Sequence, residues 1–136
     1  MPINSQKKGK RAELAVAKLI NQYLDSNVRR TPQSGGLSIK GDIIDINPDS
    51  PAFGYHFEVK DQKKLMIPKW WEQIYDDLPL GKTPVNVFKM NAQFYATLEF
   101  KDWLSLLAEL KELKESNIGL EEELEDLTHK NQENKK

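Results

Sequence analysis

The first clear pattern in the chain is an apolar stripe at helical spacing over residues 7–24. Apolar side chains recur every three or four positions and form one face of the predicted helix: Ala12, Ala15, Val16, Leu19, Ile20 and Tyr23. Glu13 lies at the margin of this face, in line with Ile20 and Leu24, so its carboxylate is half turned toward the interior. An unpaired carboxylate is costly there, which singles out Glu13.

Downstream of this helix, short apolar runs bounded by glycine, proline and asparagine predict strands. The predicted strands cover residues 28–30, 41–46, 55–60, 84–90 and 93–100, and a short amphipathic helix at 69–79 separates the third from the fourth. The order helix, three strands, helix, two strands predicts a small α/β domain, a mixed β-sheet flanked by helices.

From Trp103 onward the apolar spacing becomes a heptad repeat. The repeating positions alternate steps of four and three: Leu106, Leu110, Leu113, Asn117, Leu120, Leu124 and Leu127. With Leu110 at position a, Asn117 is the polar residue at an a position, which favours two parallel strands in fixed register. Glu109 at g and Lys114 at the next e can pair across such a dimer. The pattern predicts a dimeric coiled coil; one or two helices folded back on the domain are the alternative.

Composition excludes several classes of protein. The chain has 136 residues, of which 38% are hydrophobic, room for one domain of about 100 residues and an appendage. No run of 18 apolar residues exists, which excludes a membrane-spanning helix, and the N-terminus lacks the apolar segment of a secretory signal. The absence of cysteine excludes a disulfide framework and a thiolate metal site and fits a cytoplasmic protein.

The net charge of −1 conceals an asymmetry between the two halves. Residues 1–69 carry 12 Lys/Arg against 7 Asp/Glu, whereas residues 70–136 carry 8 against 14. A polyanion would bind the basic half, since phosphates neutralised by lysine and arginine release their counterions. Two ordinary solvated surfaces of opposite sign would give the same numbers.

The predicted strand at 55–60 carries an informative polar pair. Alternation along the strand places Glu58 and Lys60 on one face and the apolar residues on the other. Taken alone, a Glu-x-Lys pair on a strand is most often a surface ion pair. Asp42 opens the preceding strand, however, and sequential strands are usually neighbours. The carboxylates of Asp42 and Glu58 are therefore expected to converge.

Two converging carboxylates predict a site for a hard cation, with the Val59 backbone carbonyl as a further ligand. Mg²⁺ suits such a site because it binds one or two carboxylates, keeps several waters and accepts phosphate oxygens; Mn²⁺ is the expected substitute. Lys60 would orient or activate the attacking water or stabilise the developing charge, while the metal lowers the pKa of its water. The constellation predicts phosphodiester hydrolysis.

The order of these residues resembles the PD-(D/E)xK nuclease superfamily: Glu13, then Gly41-Asp42, then Glu58-Val59-Lys60. Within that superfamily, RRTPQSGGLSIKGDIIDI followed by FEVKDQKK is similar to the archaeal-type Holliday junction resolvases and related small phage endonucleases. The resemblance covers roughly residues 7–107 and includes a tryptophan-bearing helix with Gln73. One departure is Gly41, which stands where the family pattern has proline.

The resemblance implies the restriction-endonuclease-like fold and assigns roles to individual residues. It makes Asp42 and Glu58 metal ligands, Lys60 the catalytic lysine, and Glu13 a catalytic carboxylate that reaches the metal through a water. Ser34 corresponds to a serine in the loop before the aspartate, which lies near the active site in the resolvases.

Basic residues near this constellation are predicted to contact the DNA backbone rather than to read sequence. Together with Ser34, the predicted DNA-binding residues are Lys10, Arg11, Arg29, Arg30, Lys40, Lys63 and Lys64. For Lys7 and Lys8, a solvated basic terminus is an equally good interpretation. His56 and His129 are too isolated in the sequence to predict a metal site or a general base.

These inferences predict three regions: a nuclease domain at 1–103, a heptad-patterned helical dimerisation segment at 104–130 and a disordered tail at 131–136. The predicted function is that of a Mg²⁺-dependent endonuclease that cuts Holliday junctions or other branched DNA as a homodimer, in recombination or phage DNA processing. The alternatives are a nuclease for linear or single-stranded DNA in replication or restriction, and a non-catalytic DNA-binding or scaffold protein that dimerises through its C-terminal helix.

Overall fold

A computed structural model describes residues 5–31 and 41–134. These residues form two compact units that divide between Leu98 and Glu99, earlier than the predicted boundary after residue 103. The first unit contains α1 (Ser5–Leu24), β1 (Arg29–Arg30), β2 (Ile43–Ile44), β3 (Tyr55–Lys60), α2 (Ile67–Asp77), β4 (Thr83–Met90) and β5 (Gln93–Thr97). The second unit contains α3 (Phe100–Glu133).

The five strands form one sheet in the order β1-β2-β3-β4-β5. Neighbouring strands are antiparallel except β3 and β4, which run parallel with Tyr55 opposite Thr83 and Lys60 opposite Phe88. Parallel neighbours need a crossover connection, and α2 supplies it. The mixed sheet, with helices on its faces, confirms the predicted α/β restriction-endonuclease-like fold.

Helix α1 covers one face of the sheet. The apolar core on this side includes Val16 of α1, Val59 of β3, and Val85 and Val87 of β4. These strand residues alternate with residues of the opposite face, so β3 and β4 are each buried from both sides. Helix α2 covers the second face, where the rings of Trp70 and Phe88 pack with centroids 5.9 Å apart.

The buried face of α1 is rotated from the one that the sequence predicts. Val16 lies in the core as expected and Ala17 joins it, but Leu19 is 39% exposed and Tyr23 is 81% exposed. The rotation moves Glu13 from the margin of the apolar face into its buried part. The prediction of a functional carboxylate on this helix therefore concerns a more buried residue than the spacing alone indicated.

Two predicted strands are shorter in the structure. The strand expected at 41–46 is reduced to Ile43–Ile44, because Gly41 and Asp42 precede it in a bend that positions the Asp42 side chain. The strand expected at 93–100 ends at Thr97, since Phe100 already begins α3.

Helix α3 is continuous from Phe100 to Glu133, so residues 131–133 of the predicted disordered tail are helical. Glutamine and glutamate are good helix formers, and the backbone N–H of Asn134 caps the last turn by bonding the Lys130 carbonyl. At 34 residues α3 is about 50 Å long, and its heptad leucines are exposed in the single chain. Within the described residues, no helix has the length and apolarity needed to cross a bilayer.

Candidate active site

Asp42 is fixed against the edge of β3 by both its backbone and its side chain. Its N–H donates to the Phe57 carbonyl at 2.9 Å, and the Val59 N–H donates to Asp42 Oδ2 at 2.7 Å. On its other side the Asp42 carbonyl accepts from the Thr31 N–H at 2.9 Å. Since Phe57 and Val59 are alternate residues of one strand, Asp42 has a defined register on β3 although it lies outside the regular ladder.

Glu58 projects from β3 between these two residues, and its side chain is buried. The carboxyl groups of Asp42 and Glu58 are close enough to share a hydrogen bond. The two carboxyl groups that are expected to converge thus lie near each other, and their roles as metal ligands stay predictions. Two acids at this distance share a hydrogen bond only while one of them carries a proton.

The two carboxyl groups have opposite pKa shifts. The pKa of Asp42 is raised from 3.8 to about 7, chiefly by burial and then by the negative charge of Glu58, while the Val59 N–H opposes the rise. Burial also acts to raise the pKa of Glu58, but polar contacts with His56 and Asp42 outweigh it, so this pKa lies below 4.5. Between the two pKa values the pair thus holds one proton, which resides mainly on Asp42, and Glu58 carries the charge.

His56 is a site residue that the sequence analysis missed. Its side chain is 1% exposed, and Nε2 lies 3.3 Å from Glu58 Oε1, although no hydrogen bond of good geometry reaches Nε2. The signal was present in the sequence, because His56 and Glu58 are two apart on a strand and so share a face. The buried imidazole thus lies in polar contact with the Glu58 carboxylate and acts to lower its pKa.

Gly41 is required where it stands. Its φ is +94°, and a Cβ at this position would lie 3.0 Å from His56 Nδ1 and 3.4 Å from the Phe57 carbonyl oxygen. Proline cannot adopt a positive φ, since its ring fixes φ near −65°. The departure from the family pattern at this position is thus explained by the His56 ring, which occupies the space beside the backbone of residue 41.

Lys60 lies on the same face of β3 as Glu58. Its Nζ donates to Gln73 Oε1 of α2 at 3.1 Å, and its charge contributes to the lowered pKa of Glu58. Lys60 therefore sits within electrostatic range of the carboxyl pair. Gln73 on α2 acts as its hydrogen-bonding support.

Glu13 approaches the site from α1. Its carboxylate forms an ion pair with the Arg30 guanidinium, which explains how a carboxylate can occupy the buried face of the helix. The charge of Glu13 also contributes to the raised pKa of Asp42. Arg30, predicted to contact DNA, is thus engaged with Glu13 and partly buried.

Most of the other predicted DNA-binding residues have solvent-exposed side chains. Lys10, Arg11, Arg29, Lys63 and Lys64 are exposed. Ser34 and Lys40 lie outside the described residues, so their predicted roles stay predictions.

Asp42 and Glu58 are the side chains that offer oxygen ligands to a cation. Over residues 5–31 and 41–134, no group of three or more histidine, aspartate or glutamate side chains is arranged to hold a metal. A pair of carboxylates is nevertheless a fitting donor set for Mg²⁺, which completes its shell with waters and phosphate oxygens.

Comparison with known proteins identifies a family. A family model described as "Phage putative PDDEXK endonuclease" matches residues 4–133. The match extends over both units, including all of α3. No curated protein and no solved structure matches the chain significantly.

The shared proton predicts an unusual pH dependence of stability. Because the folded chain keeps a proton on Asp42 that the unfolded chain loses near pH 4, the free energy of unfolding falls as pH rises from about 4 to about 7. The lowered pKa of Glu58 has the opposite effect on stability. It stabilises the folded chain at higher pH, and this stabilisation is lost only as pH falls below 4.5. We therefore expect Asp42→Asn, without divalent metal, to be more stable than the native chain at about pH 8, by an amount on the order of a few kcal/mol.

Urea unfolding across the pH range measures this difference, which should shrink toward about pH 5, where Asp42 is already neutral. Asp76→Asn, at an exposed position of α2, is the matched control and should show no such pH-dependent gain. A native chain as stable as Asp42→Asn at both pH values would contradict the shared proton.

The fit between Gly41 and His56 predicts coupled substitutions. Gly41→Ala should destabilise the fold by more than about 1 kcal/mol, because alanine is strained at positive φ and its Cβ meets the imidazole. In the Gly41→Ala/His56→Ala double variant the steric part should vanish, so the loss should be smaller than the sum of the single losses. Thermal unfolding of all four chains gives the coupling energy, and additivity within about 0.5 kcal/mol would refute the contact.

Proposed function

Because the chain belongs to the phage PDDEXK endonuclease family, we propose that it is a divalent-metal-dependent DNA endonuclease. The observation that carries this proposal is the carboxyl pair formed by Glu58 of β3 and Asp42 at the edge of β3, with Lys60 beside it. Closeness to the Holliday junction resolvases and a cytoplasmic location stay predictions.

The raised pKa of Asp42 supports a cation at this pair. A divalent ion between the two carboxylates would replace the shared proton and remove the repulsion that raises the pKa. The Val59 carbonyl is the proposed third ligand: Val59 directs its N–H to Asp42, and the N–H and C=O of one residue leave an extended strand at the same edge. The chemistry that Mg²⁺ or Mn²⁺ supplies is polarisation of a phosphoryl oxygen and a water of lowered pKa.

The side chains of the site then have distinct tasks. Glu58 and Asp42 hold the ion, and His56 keeps the Glu58 carboxylate in place from its buried side. Lys60, supported by Gln73, directs its ammonium group at the attacking water or at the developing negative charge. Glu13, fixed by Arg30, is proposed to accept a hydrogen bond from a water of the ion.

The homodimer is a proposal that rests on α3. In a parallel pair of these helices, Asn117 meets Asn117 of the second copy and the two amides can bond each other. Glu109 at g faces Lys114 at the following e, and no g–e pair of the seam joins two like charges. Two active sites in such a dimer suit branched DNA with paired cleavage positions.

An antiparallel pair is the competing arrangement. With Asn117 opposite Leu120, it gains two kinds of ion pair: Glu109 with Lys130, and Lys114 with Glu121. Each exposed pair contributes about 0.2–1 kcal/mol, whereas each buried amide without a partner costs about 1–3 kcal/mol. With both copies counted, the antiparallel dimer has four ion pairs and the parallel dimer has two. The two unpaired Asn117 side chains outweigh this net gain of two ion pairs, so the parallel dimer is favoured.

The catalytic assignment predicts the outcome of three substitutions. Asp42→Asn, Glu58→Gln and Lys60→Ala should each lower metal-dependent cleavage by at least about 10²-fold, because each removes a ligand or a charge at the reacting phosphate. DNA binding should persist, since no phosphate contact outside the site is lost. Lys111→Ala on α3 is the control for loss of a lysine and should cleave like the native chain.

Cleavage is measured with Mg²⁺, with Mn²⁺ and with a chelator, on four-way junctions, flaps, duplex and single strands at one ionic strength. Preference for the junction supports the proposed substrate, whereas preference for duplex or single strands assigns the enzyme to linear DNA. Undiminished cleavage by all three variants would refute the site, and DNA binding without metal-dependent cleavage would favour the non-catalytic alternative.

The dimer is tested by one pair of substitutions at similarly exposed positions of α3. Leu120, at a d position, is 57% exposed and Ile118, at a b position outside the seam, is 55% exposed. We expect Leu120→Glu to give a monomer, since it places two carboxylates in the seam, and Ile118→Glu to stay dimeric. Sedimentation equilibrium measures both masses, and a dimer that survives Leu120→Glu would show that the seam is not the interface.

A further inference from the structure

A cleft opens in the first unit where β3 and β4 end. Its cavity volume is about 550 Å³, and its walls come from α1, the segment after β3 and the hairpin between β4 and β5. The residues that matter for its chemistry are Lys8, Asp61, Lys63, Lys89, Asn91 and Ala92. The carboxyl ends of parallel strands are the usual location of ligand sites in open α/β sheets.

The cleft is positively charged. Among the described residues that line it, Lys8, Lys63 and Lys89 come from three separate segments and Asp61 contributes the one carboxylate. The Asp61 carboxylate is 3.6 Å from Lys8 Nζ, so within this described lining the charges of Lys63 and Lys89 are left uncompensated. Converging lysines with a net positive charge favour an anion, and a phosphate group in particular.

The position of Lys89 is set by the hairpin. Its Nζ lies 5.8 Å from the centroid of the Phe94 ring, directly across the β4–β5 ladder. The turn that closes the hairpin contains Asn91 with φ +51° and Ala92 with φ +63°. Two consecutive residues in the left-handed region form the tight two-residue turn that matches the twist of the strands, so this wall of the cleft is short and well defined.

The cleft adjoins the proposed active site along β3. Asp61 directly follows Lys60, and it lies two residues from Val59, roughly 7 Å at the rise of a strand. Successive charges of one nucleic acid strand are spaced about 3.4 Å along the duplex axis, so a span of about 7 Å corresponds to about two phosphate steps. A nucleic acid strand bound at the carboxyl pair would therefore bring a nearby phosphate to the cleft.

We propose that this cleft binds a backbone phosphate flanking the scissile one, with Lys89 as its principal contact and Lys8 and Lys63 beside it. The inference rests on the proposed function and extends it, because Lys89 lies on a strand that the sequence analysis did not associate with DNA. The contact is electrostatic and independent of base sequence. Its role is to fix the register of the cleaved strand.

The test measures duplex binding by fluorescence anisotropy over a series of salt concentrations, with Ca²⁺ in place of Mg²⁺. Lys89→Ala should weaken binding and reduce the slope of log K against log salt by about 0.9, the value of one phosphate contact. Lys89→Arg should retain the slope, and Lys111→Ala on α3 is the matched control that should not change it. An unchanged slope for Lys89→Ala would overturn the proposal.

A second measurement identifies the phosphate. Each duplex of a series carries one neutral methylphosphonate at a different position beside the cut. The native chain should bind more weakly when the methylphosphonate occupies one particular flanking position. Lys89→Ala should not show that loss of affinity. Equal losses in both chains at every position would refute the contact. A native chain that binds no DNA would instead remove the proposed function itself.

Free phosphate is the other source of the same chemistry. Inorganic phosphate at matched ionic strength should raise the melting temperature of the native chain by no more than it raises that of Lys89→Ala. Saturable stabilisation of the native chain alone would assign the cleft to free phosphate and overturn a role in DNA binding.

Discussion

The repulsion between two buried carboxyl groups is the constraint on which the rest of this structure depends. Asp42 and Glu58 are close enough to share a hydrogen bond, and burial together with the Glu58 charge raises the pKa of Asp42 to about 7. Two neighbours reduce that cost: the Val59 N–H bonds Asp42, and the Lys60 charge stabilises ionised Glu58. The charge of Glu13 increases it. The contacts with Val59 and Lys60 do not remove the need for a proton, which is why the pair suits the proposed cation.

Strand β3 provides the common reference for the site. Asp42 is held by hydrogen bonds to Phe57 and Val59, and Glu58 and Lys60 project from the same strand. The strand is buried between α1 and α2 and paired on both edges, which makes it one of the least mobile elements available. Residues of other elements hold the charged side chains near the pair: Gln73 of α2 bonds Lys60, and Arg30 of β1 pairs with Glu13. A rigid frame of this kind can keep a repulsive pair together.

The sequence allowed the mixed sheet, the α2 crossover and the convergence of Asp42 and Glu58 to be predicted, because these depend on local periodicity and on neighbouring strands. It did not allow the partners to be predicted. The Arg30–Glu13 pair joins residues far apart in the chain, and it accompanies the burial of Glu13 on the rotated face of α1. His56 shares a face with Glu58 by simple alternation, but its importance depends on burial and on the positive φ of Gly41, which only the folded backbone reveals.

The charge of α3 bears on how the two units divide their tasks. The helix carries four lysines against ten acidic residues, and such a surface repels a polyanion within a Debye length of about 8–10 Å. The lysines that can bind phosphate instead line the first unit, at the carboxyl ends of β3 and β4. A long acidic helix with an exposed leucine seam is therefore poorly suited to contact DNA and well suited to contact another protein helix. Pairing of two such helices would bury apolar surface that the single chain leaves in water.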